Sequence, residues 1–375
     1  MPKTVLILGG SLAGLAVTHR LLKYTRPHVQ DLRVVVVSKV NSHFYWNLAS
    51  VRAVIPDLVQ DSQLLQPIEP GLRQYPPDSV DFIVGAASSI NTTAQRVHVS
   101  VIDGDDREIK YDYLVIATGA DAADKDMPWK ASGSYEDCLT SLHRTAERIR
   151  TAEHVVVGGG GATGVEVAAE IKYEFPSKTV VILNSSDTLV AGDSSAAAVE
   201  SELRRLGVVV TKGVRGTPSD DAPRPDGKTV VHLSDGGFLL TDLYLPTTGL
   251  SPNTGFLPAH WLTDGGYVDV DECMRVPGAS GVWALGDVVS KPRAGFLFTE
   301  AQAAGVASNI DLVLKGKGQR SVSAPYLDIF ICSIGRDRGA GRIGPIPVPF
   351  FFIWAVKGRS LGMERTAKYA NGTMW

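Results

Sequence analysis

The chain has 375 residues, of which 44% are hydrophobic and 21% are charged, and its formal net charge at pH 7 is -3. This length and composition are typical of a protein with two hydrophobic cores and a smaller third unit. The low net charge gives no electrostatic basis for nucleic-acid binding, so we expect no nucleic-acid partner. We predict no metal site.

The first predicted element is a buried strand, Val5–Leu8, followed by a glycine-rich turn and an apolar helix from Leu15 to Tyr24. A GxGxxG turn brings unpaired N–H groups and the positive end of a helix dipole to the place where a pyrophosphate binds. A serine fills the second glycine position, where its hydroxyl can donate a hydrogen bond. The predicted cofactor-binding residues of this turn are Gly9, Gly10, Ser11, Leu12, Ala13 and Gly14.

The second GxGxxG turn follows the predicted strand His154–Val157 and opens another helix. Here the pattern is complete, and two such turns in strand-turn-helix context predict two dinucleotides in one chain. The strand Thr179–Leu183 then ends in a residue that is neither the acid favouring NADH nor an arginine favouring NADPH, so the nucleotide stays open. The predicted binding residues are Gly159, Gly161, Thr163, Gly164 and Asn184.

Other predicted strands also end in small or polar residues that suit a flat cofactor. The strand Val34–Val37 ends in a serine and a lysine, where an acidic residue usually binds the adenosine ribose. The strand Gly281–Leu285, preceded by a predicted strand over 266–270, runs into a Gly-Asp pair. A helix is predicted from Ala301 to Leu314, its N-terminus directed at a flavin. These segments add Ser38, Lys39, Thr118, Gly119, Gly249, Gly286, Asp287 and Gln302 to the predicted cofactor-binding residues.

Two segments carry a resemblance to a known family: Phe44–Ala53, which includes Asn47, and Val356–Leu361. The chain resembles the pyridine nucleotide-disulfide oxidoreductase superfamily, and within it the apoptosis-inducing-factor-like and ferroptosis-suppressor type of NAD(P)H:quinone oxidoreductase. Gly362 stands where that type has an aromatic residue. The resemblance implies that Arg52, Val84 through its backbone, and Asp287 contact FAD, and that Glu166 and Lys357, the candidate catalytic residues, lie near the nicotinamide and flavin. Asn47 and Glu166 are also predicted cofactor-binding residues.

The implied fold is α/β, with two Rossmann-like dinucleotide-binding domains of the glutathione-reductase type and a small C-terminal α+β cap. The predicted FAD domain takes residues 1–120 and resumes over 266–314, because the Gly-Asp strand must rejoin the first sheet. The predicted NAD(P)H domain takes 121–265, with a turn-rich exposed loop over 218–227, and the cap takes 315–375.

The three cysteines, Cys138, Cys273 and Cys332, form no CxxC or CxxxxC motif and are predicted to be buried. Electrons from NADH or NADPH, the co-substrate, are therefore expected to pass through FAD to an external small molecule. A quinone or similar conjugated carbonyl is the favoured acceptor, including a dedicated pathway intermediate. A flavin monooxygenase and a non-enzymatic redox sensor stay open as alternatives.

The longest apolar run, Ile346–Val356, is too short to span a bilayer. It suits a membrane surface, a quinone pocket or an ordinary core segment, and the sequence leaves these three open. We expect no signal or transit peptide, because the first predicted strand begins at the fifth residue of the sequence, and we expect no myristoyl anchor, because Pro2 stands where myristoylation requires glycine. We expect a cytoplasmic protein, with or without peripheral membrane contact; the oligomeric state stays open.

Overall fold

The computed structural model describes residues 3–39, 41–102, 104–131, 133–219, 226–289, 295–325 and 327–375. The strands are β1 (Lys3–Leu8), β2 (Leu32–Ser38), β3 (His43–Tyr45), β4 (Leu65–Pro67), β5 (Val80–Asn91), β6 (Arg96–Val101), β7 (Arg107–Lys110), β8 (Tyr113–Ile116), β9 (Ala120–Ala122), β10 (His154–Gly158), β11 (Thr179–Asn184), β12 (Val209–Lys212), β13 (Gly216–Pro218), β14 (Thr229–Leu233), β15 (Phe238–Thr241), β16 (Leu243–Pro246), β17 (Leu250–Pro252), β18 (Val282–Ala284), β19 (Ile329–Ile334), β20 (Arg338–Ile343) and β21 (Ile346–Pro347).

The α-helices are α1 (Leu12–Arg20), α2 (Ser50–Ala53), α3 (Asp61–Leu64), α4 (Glu69–Leu72), α5 (Tyr135–Thr151), α6 (Ala162–Glu174), α7 (Ala196–Leu206), α8 (Phe296–Leu314), α9 (Phe350–Ile353) and α10 (Thr366–Ala370). Two π-helical segments continue α1 and α9, over Leu21–Thr25 and Trp354–Gly358. Short 3₁₀ segments cover Asn47–Ala49, Val190–Gly192, Ala259–Trp261, Gly286–Val288 and Met363–Arg365.

The first sheet has seven strands in the order β18-β8-β1-β2-β5-β6-β7. Its first five strands pair in parallel, and β5, β6 and β7 pair antiparallel. Residues Val5–Leu8 of β1 are almost completely buried, as expected for a strand covered on both faces of a parallel sheet. Because β18 pairs with β8, the chain returns to this sheet after forming the second one.

The second sheet is parallel, in the order β12-β11-β10-β16, and a separate antiparallel sheet has the order β13-β14-β15. The units β1-α1-β2 and β10-α6-β11 repeat one layout of strand, glycine turn, helix and parallel strand. This arrangement confirms the predicted α/β class. Most of the predicted exposed loop, residues 220–225, lies outside the described residues; β13 and β14, which flank it, pair with each other.

The chain after residue 319 forms an antiparallel sheet of β19, β20 and β21, followed by α9 and α10. In this part, β19 packs against α6, β20 packs against α7, and α10 packs against β3 and β4. The C-terminal region therefore contacts both Rossmann-like units. In the described part of the chain, no helix has the length and apolar content needed to cross a membrane.

Three sequence predictions need correction. The predicted strand over 266–270 is reduced to isolated bridges that Val268 makes with Leu262 and Val289. Helix α8 begins at Phe296 and not at Ala301, so Gln302 lies in its second turn. The core interpretation of Ile346–Val356 is wrong for most of that segment: Ile353 is buried, but Phe351 is 62% exposed.

Candidate functional site

A cavity of about 690 Å³ runs along the carboxyl ends of the first sheet. The carboxyl edge of a parallel sheet is where α/β folds place their ligands, because the helix N-termini and connecting loops converge there. The sequence-predicted residues that line this cavity are Gly9, Gly10, Ser11, Leu12, Ala13, Ser38, Lys39, Asn47, Thr118, Gly119, Gly286 and Asp287.

The first glycine turn is shaped by one close backbone contact. A Cβ on Gly14 would lie 1.8 Å from the carbonyl oxygen of Gly9, and Gly9 itself has φ +126°. Only glycine at both positions lets α1 pack this closely against the end of β1. Ser11 is the N-cap residue of α1, but its side chain makes no capping hydrogen bond and is exposed to the cavity. Its hydroxyl is therefore available to a bound phosphate.

The second glycine turn has nearly the same backbone geometry as the first. A Cβ on Gly164 would lie 1.9 Å from the carbonyl oxygen of Gly159, and Gly159 has φ +123°. Gly161 caps α6 at φ -72°, and a Cβ there would have nothing within 4 Å. This open space before a helix N-terminus fits the pyrophosphate of NAD(P)H. Thr163 lies in the first turn of α6, and Gly249 follows β16 with φ +83°.

The residue ending the second strand lies against the glycine turn in both units. A Cβ on Gly10 would lie 2.6 Å from Oγ of Ser38, and a Cβ on Gly160 would lie 2.6 Å from Oδ1 of Asn184. Ser38 and Asn184 thus occupy equivalent positions, where the adenosine ribose is bound in this fold. Nδ2 of Asn184 donates hydrogen bonds to the carbonyls of Ser186 and Thr188, which fixes the orientation of the Asn184 side chain.

We predict that Gly161→Ala and Gly164→Ala fail in different ways. Gly161→Ala meets no protein atom, so its free energy of unfolding should change by less than about 0.5 kcal/mol. Its new methyl group occupies the phosphate position, so KM for NAD(P)H should rise about tenfold or more. Gly164→Ala forces a methyl group into a carbonyl and should lower the thermal midpoint instead. Equal stability losses for the two variants would contradict this.

Two ion pairs line the first cavity, and each joins a predicted residue to one that sequence reasoning missed. Nζ of Lys130 lies 2.5 Å from Oδ2 of Asp287, and Nζ of Lys39 lies 3.4 Å from Oδ2 of Asp121. Lys130 and Asp121 belong to no motif, and only the fold brings them to the cavity. The remaining missed residues on the lining include His43, Tyr45, Lys125, Asn253, Phe256 and Thr299.

Three other predicted residues support the cavity without lining it. Gly14 forms the close contact described above, and Val84 on β5 pairs with Ser38. Gln302 accepts a 2.8 Å hydrogen bond from the N–H of Gly286 through Oε1 and so holds the turn that carries Asp287. The glycine cradle at the N-terminus of α1, in a cavity of this volume, fits FAD.

Lys130→Met should weaken FAD binding because it leaves Asp287 as an uncompensated carboxylate in a cavity for a dianionic cofactor. We expect the FAD dissociation constant, measured by flavin fluorescence during reconstitution of the apoprotein, to rise about tenfold. Lys315→Met, at the far end of α8 and paired with Asp311, is the matched control and should leave it unchanged. The same affinity in both variants would refute this role of Lys130.

Arg52 does not line the cavity, although the resemblance implies that it contacts FAD. Its Nη2 lies 2.6 Å from Oε1 of Glu170 and donates a 2.8 Å hydrogen bond to the carbonyl of Gly358, while Nη1 donates to the carbonyl of Arg359. The two side chains of the pair are 4% and 1% exposed. Burial raises the pKa of Glu170, and the positive charge of Arg52 opposes that shift. The contact between Arg52 and FAD stays a prediction. In the structure, Arg52 connects α2, on which it lies, to α6 and to the C-terminal region.

Removing one member of this pair should be far more costly than removing a surface pair. Arg52→Met leaves Glu170 buried without its main partner, which should cost about 3–5 kcal/mol of stability in urea unfolding. The double variant Arg52→Met/Glu170→Met should recover most of that loss. The control Arg73→Met removes an exposed pair with Glu69 and should cost less than about 1 kcal/mol. Similar losses of unfolding free energy for Arg52→Met and Arg73→Met would contradict this connecting role of Arg52.

The candidate catalytic residues Glu166 and Lys357 lie together, away from the cavity lining. Nζ of Lys357 is 2.5 Å from Oε1 of Glu166, and that oxygen also accepts hydrogen bonds from the N–H (2.9 Å) and Oγ (3.2 Å) of Ser333. Burial alone would lower the pKa of Lys357, but the carboxylate of Glu166 outweighs it and the net shift is upward. Burial also raises the pKa of the adjacent Cys332 thiol well above its ordinary value. Lys357 is therefore protonated at neutral pH and lies beside an unreactive thiol.

Gly362 is explained by its neighbour Trp46. A Cβ on Gly362, which has φ +78°, would lie 2.8 Å from Cζ2 of Trp46, and the indole Nε1 donates a 2.8 Å hydrogen bond to the carbonyl of Leu361. The indole thus fills the space beside a residue that must lack a side chain. Trp46 is 1% exposed and packs edge-on against Phe296, so it is a core residue.

These two dinucleotide sites on one α/β scaffold define a flavoprotein oxidoreductase that uses a nicotinamide nucleotide. Residues 3–308 match the pyridine nucleotide-disulphide oxidoreductase family, and the chain belongs to that family. The predicted resemblance is thereby confirmed, and the cofactors are FAD and NAD(P)H.

Similar proteins are found over the full length of the chain. It is 34% identical to the oxidoreductase ptaL of Pestalotiopsis fici over 374 residues, which cover 99% of this chain and 100% of that protein. It is 26% identical to ferroptosis suppressor protein 1 of Xenopus tropicalis, covering 99% and 96%. The sulfide:quinone oxidoreductase of Aquifex aeolicus shares the fold, with a TM-score of 0.78 at 18% identity over 99% of this chain and 92% of that one.

Proposed function

We propose that this NAD(P)H-dependent flavin oxidoreductase reduces a quinone or a similar conjugated carbonyl compound. When bound, FAD would supply the two-electron chemistry that links NAD(P)H to the acceptor. The residues that would hold FAD are the first glycine turn, Ser38 and the turn Gly286–Asp287. Those that would hold NAD(P)H are the second glycine turn and Asn184.

The state of the cysteines is the observation that carries this proposal. Cys138, Cys273 and Cys332, the only cysteines in the sequence, form no disulfide with one another and are buried, as predicted. A family member that reduces disulfides needs a pair of thiols close enough to bond. Because this chain has no such pair of thiols, it has no disulfide of its own to receive the electrons, and the acceptor must be a separate molecule. The sulfide:quinone oxidoreductase that shares the fold is named for a quinone acceptor, which supports this proposal.

Lys357 and Glu166 supply a fixed pair of charges next to β19. A protonated Lys357 offsets the negative charge of Glu166, and an ammonium group beside a redox site stabilises the extra negative charge that accompanies reduction. Ser333 donates two hydrogen bonds to the same Oε1 of Glu166 that Lys357 binds, which fixes the position of this carboxylate oxygen. We infer that the pair orients the nicotinamide and tunes the reduced state.

Lys357→Met should lower kcat with a quinone at least about tenfold and leave FAD content unchanged. Lys357→Arg, which keeps the charge, should lose less. Because the pKa of Lys357 is raised above its ordinary 10.5, the ratio of wild-type to Lys357→Met activity should stay constant from pH 6 to about pH 10. The contribution of the pair to stability should disappear as pH rises through the raised pKa of Lys357. A ratio that falls near pH 7 would show that another group is responsible.

An anaerobic stopped-flow experiment tests the whole proposal. The FAD-loaded protein is mixed with NADH or NADPH, and then with a water-soluble ubiquinone analogue. Bleaching of the flavin band followed by rapid reoxidation is the expected result, with Gly161→Ala slowing the first step only. Bleaching without reoxidation by any quinone would overturn the acceptor and favour the sensor alternative. Oxygen uptake matched to product hydroxylation would favour the monooxygenase.

A further inference from the structure

Five side chains near the C-terminus form a protruding apolar surface, which we call the aromatic ridge. Phe351 is 62% exposed, and the other members are between about a third and a half exposed. They are carried by α9 and the π-helical segment Trp354–Gly358. The ridge consists of Phe350, Phe351, Phe352, Trp354 and Val356.

The segment that carries the aromatic ridge packs against β20 of the C-terminal sheet. Ile353, the one fully buried residue between its members, packs against β20, where a Cβ on Gly339 would lie only 2.5 Å from Cγ2 of Ile353. Because Ile353 points inward, Phe351, Phe352 and Trp354 on the other faces of the helix are directed to the side or away from the protein. Phe350, three residues before Ile353, lies nearer the inward face, and the guanidinium of Arg338 lies 4.5 Å from the centre of its ring. The exposure of the aromatic rings therefore follows from the packing of the helix.

From these observations we propose that the aromatic ridge inserts into the surface of a lipid bilayer, an inference that does not depend on the proposed function. Aromatic side chains cover about 150–250 Å² each, so the exposed apolar area is roughly 400 Å². A stable contact with a second copy needs roughly 800 Å² per partner, about twice that area. A short helical ridge of Phe and Trp suits the interfacial region of a membrane, where such rings are preferred.

The charges around the ridge indicate how it binds. Arg338 and Arg342, on the strand against which α9 packs, are paired with Glu202 and with Asp193 and Asp328. Lys357, at the end of the ridge segment, is paired with Glu166. With these cations neutralised and a chain net charge of -3, attraction to anionic lipids is weak. Binding should therefore rely on apolar insertion and respond little to salt.

The ridge also leads toward the candidate catalytic pair. The helical segment that carries Trp354 and Val356 ends with Lys357 and Gly358, and the carbonyl of Gly358 is held by Arg52. A bilayer that contacts the ridge is thus only a helical turn from Lys357 along the chain.

Flotation with phosphatidylcholine vesicles tests the insertion directly, using the FAD-loaded full chain without nucleotide or acceptor. Wild-type protein should float with the vesicles equally at low and high salt. The double variant Phe351→Ser/Trp354→Ser should lower the partition coefficient at least about tenfold, since each ring contributes through its buried area. The matched control Phe238→Ser removes a ring that is 65% exposed on β15 and should float like the wild type.

Each other result would overturn the proposal. These are the absence of wild-type flotation, equal flotation of the double variant, and flotation only with anionic vesicles at low salt. Light scattering that detects a dimer abolished by the double variant, together with no flotation, would assign the ridge to a second copy of the chain. Since flotation is measured without turnover, failure here leaves the proposed reaction to its own stopped-flow test.

Discussion

The fold depends on a buried ion pair, Arg52–Glu170, at which three separate parts of the chain meet. Arg52 belongs to the first Rossmann-like unit, Glu170 belongs to the helix that opens the second, and the same guanidinium holds the carbonyls of Gly358 and Arg359. Burying this ion pair has a large desolvation cost. The hydrogen bonds that Arg52 donates to Oε1 of Glu170 and to the carbonyls of Gly358 and Arg359 offset part of that cost. The relative positions of the two nucleotide sites and of Lys357 are therefore linked through one guanidinium group.

This link explains why a residue that the family resemblance assigns to FAD lies away from the cavity. Arg52 acts on the site through the position of α6 and of the segment that ends in Lys357. Gly161 is the N-cap of this same α6, at the end that faces the nucleotide, and Glu166 in the second turn of the helix pairs with Lys357. A single helix thus carries both the phosphate-binding end and the acid of the candidate catalytic pair.

The features predicted well from sequence are those that local geometry determines. Each glycine turn needs a helix and a strand only a few residues away, so its pattern is visible in a short segment. The features that were missed join distant segments: Lys130 meets Asp287, and Arg52 meets Glu170, across more than a hundred residues of chain. The start of α8 was placed late because the residues before it have no strong capping signal. Long-range pairs of this kind have no periodic signature, so only the folded chain reveals them.

The late return of β18 to the first sheet has a consequence for how the protein is made. Strand β18 pairs with β8, and the turn that follows it carries Asp287 into the FAD cavity. During synthesis the second Rossmann-like unit emerges in full before this strand does, so it can fold while the first sheet still lacks its edge. FAD capture then becomes a terminal event of assembly, and contacts of such high sequence separation are slow to form. A shortage of flavin would accordingly leave chains in which the second Rossmann-like unit is folded but β18 has not yet paired with β8 in the first sheet.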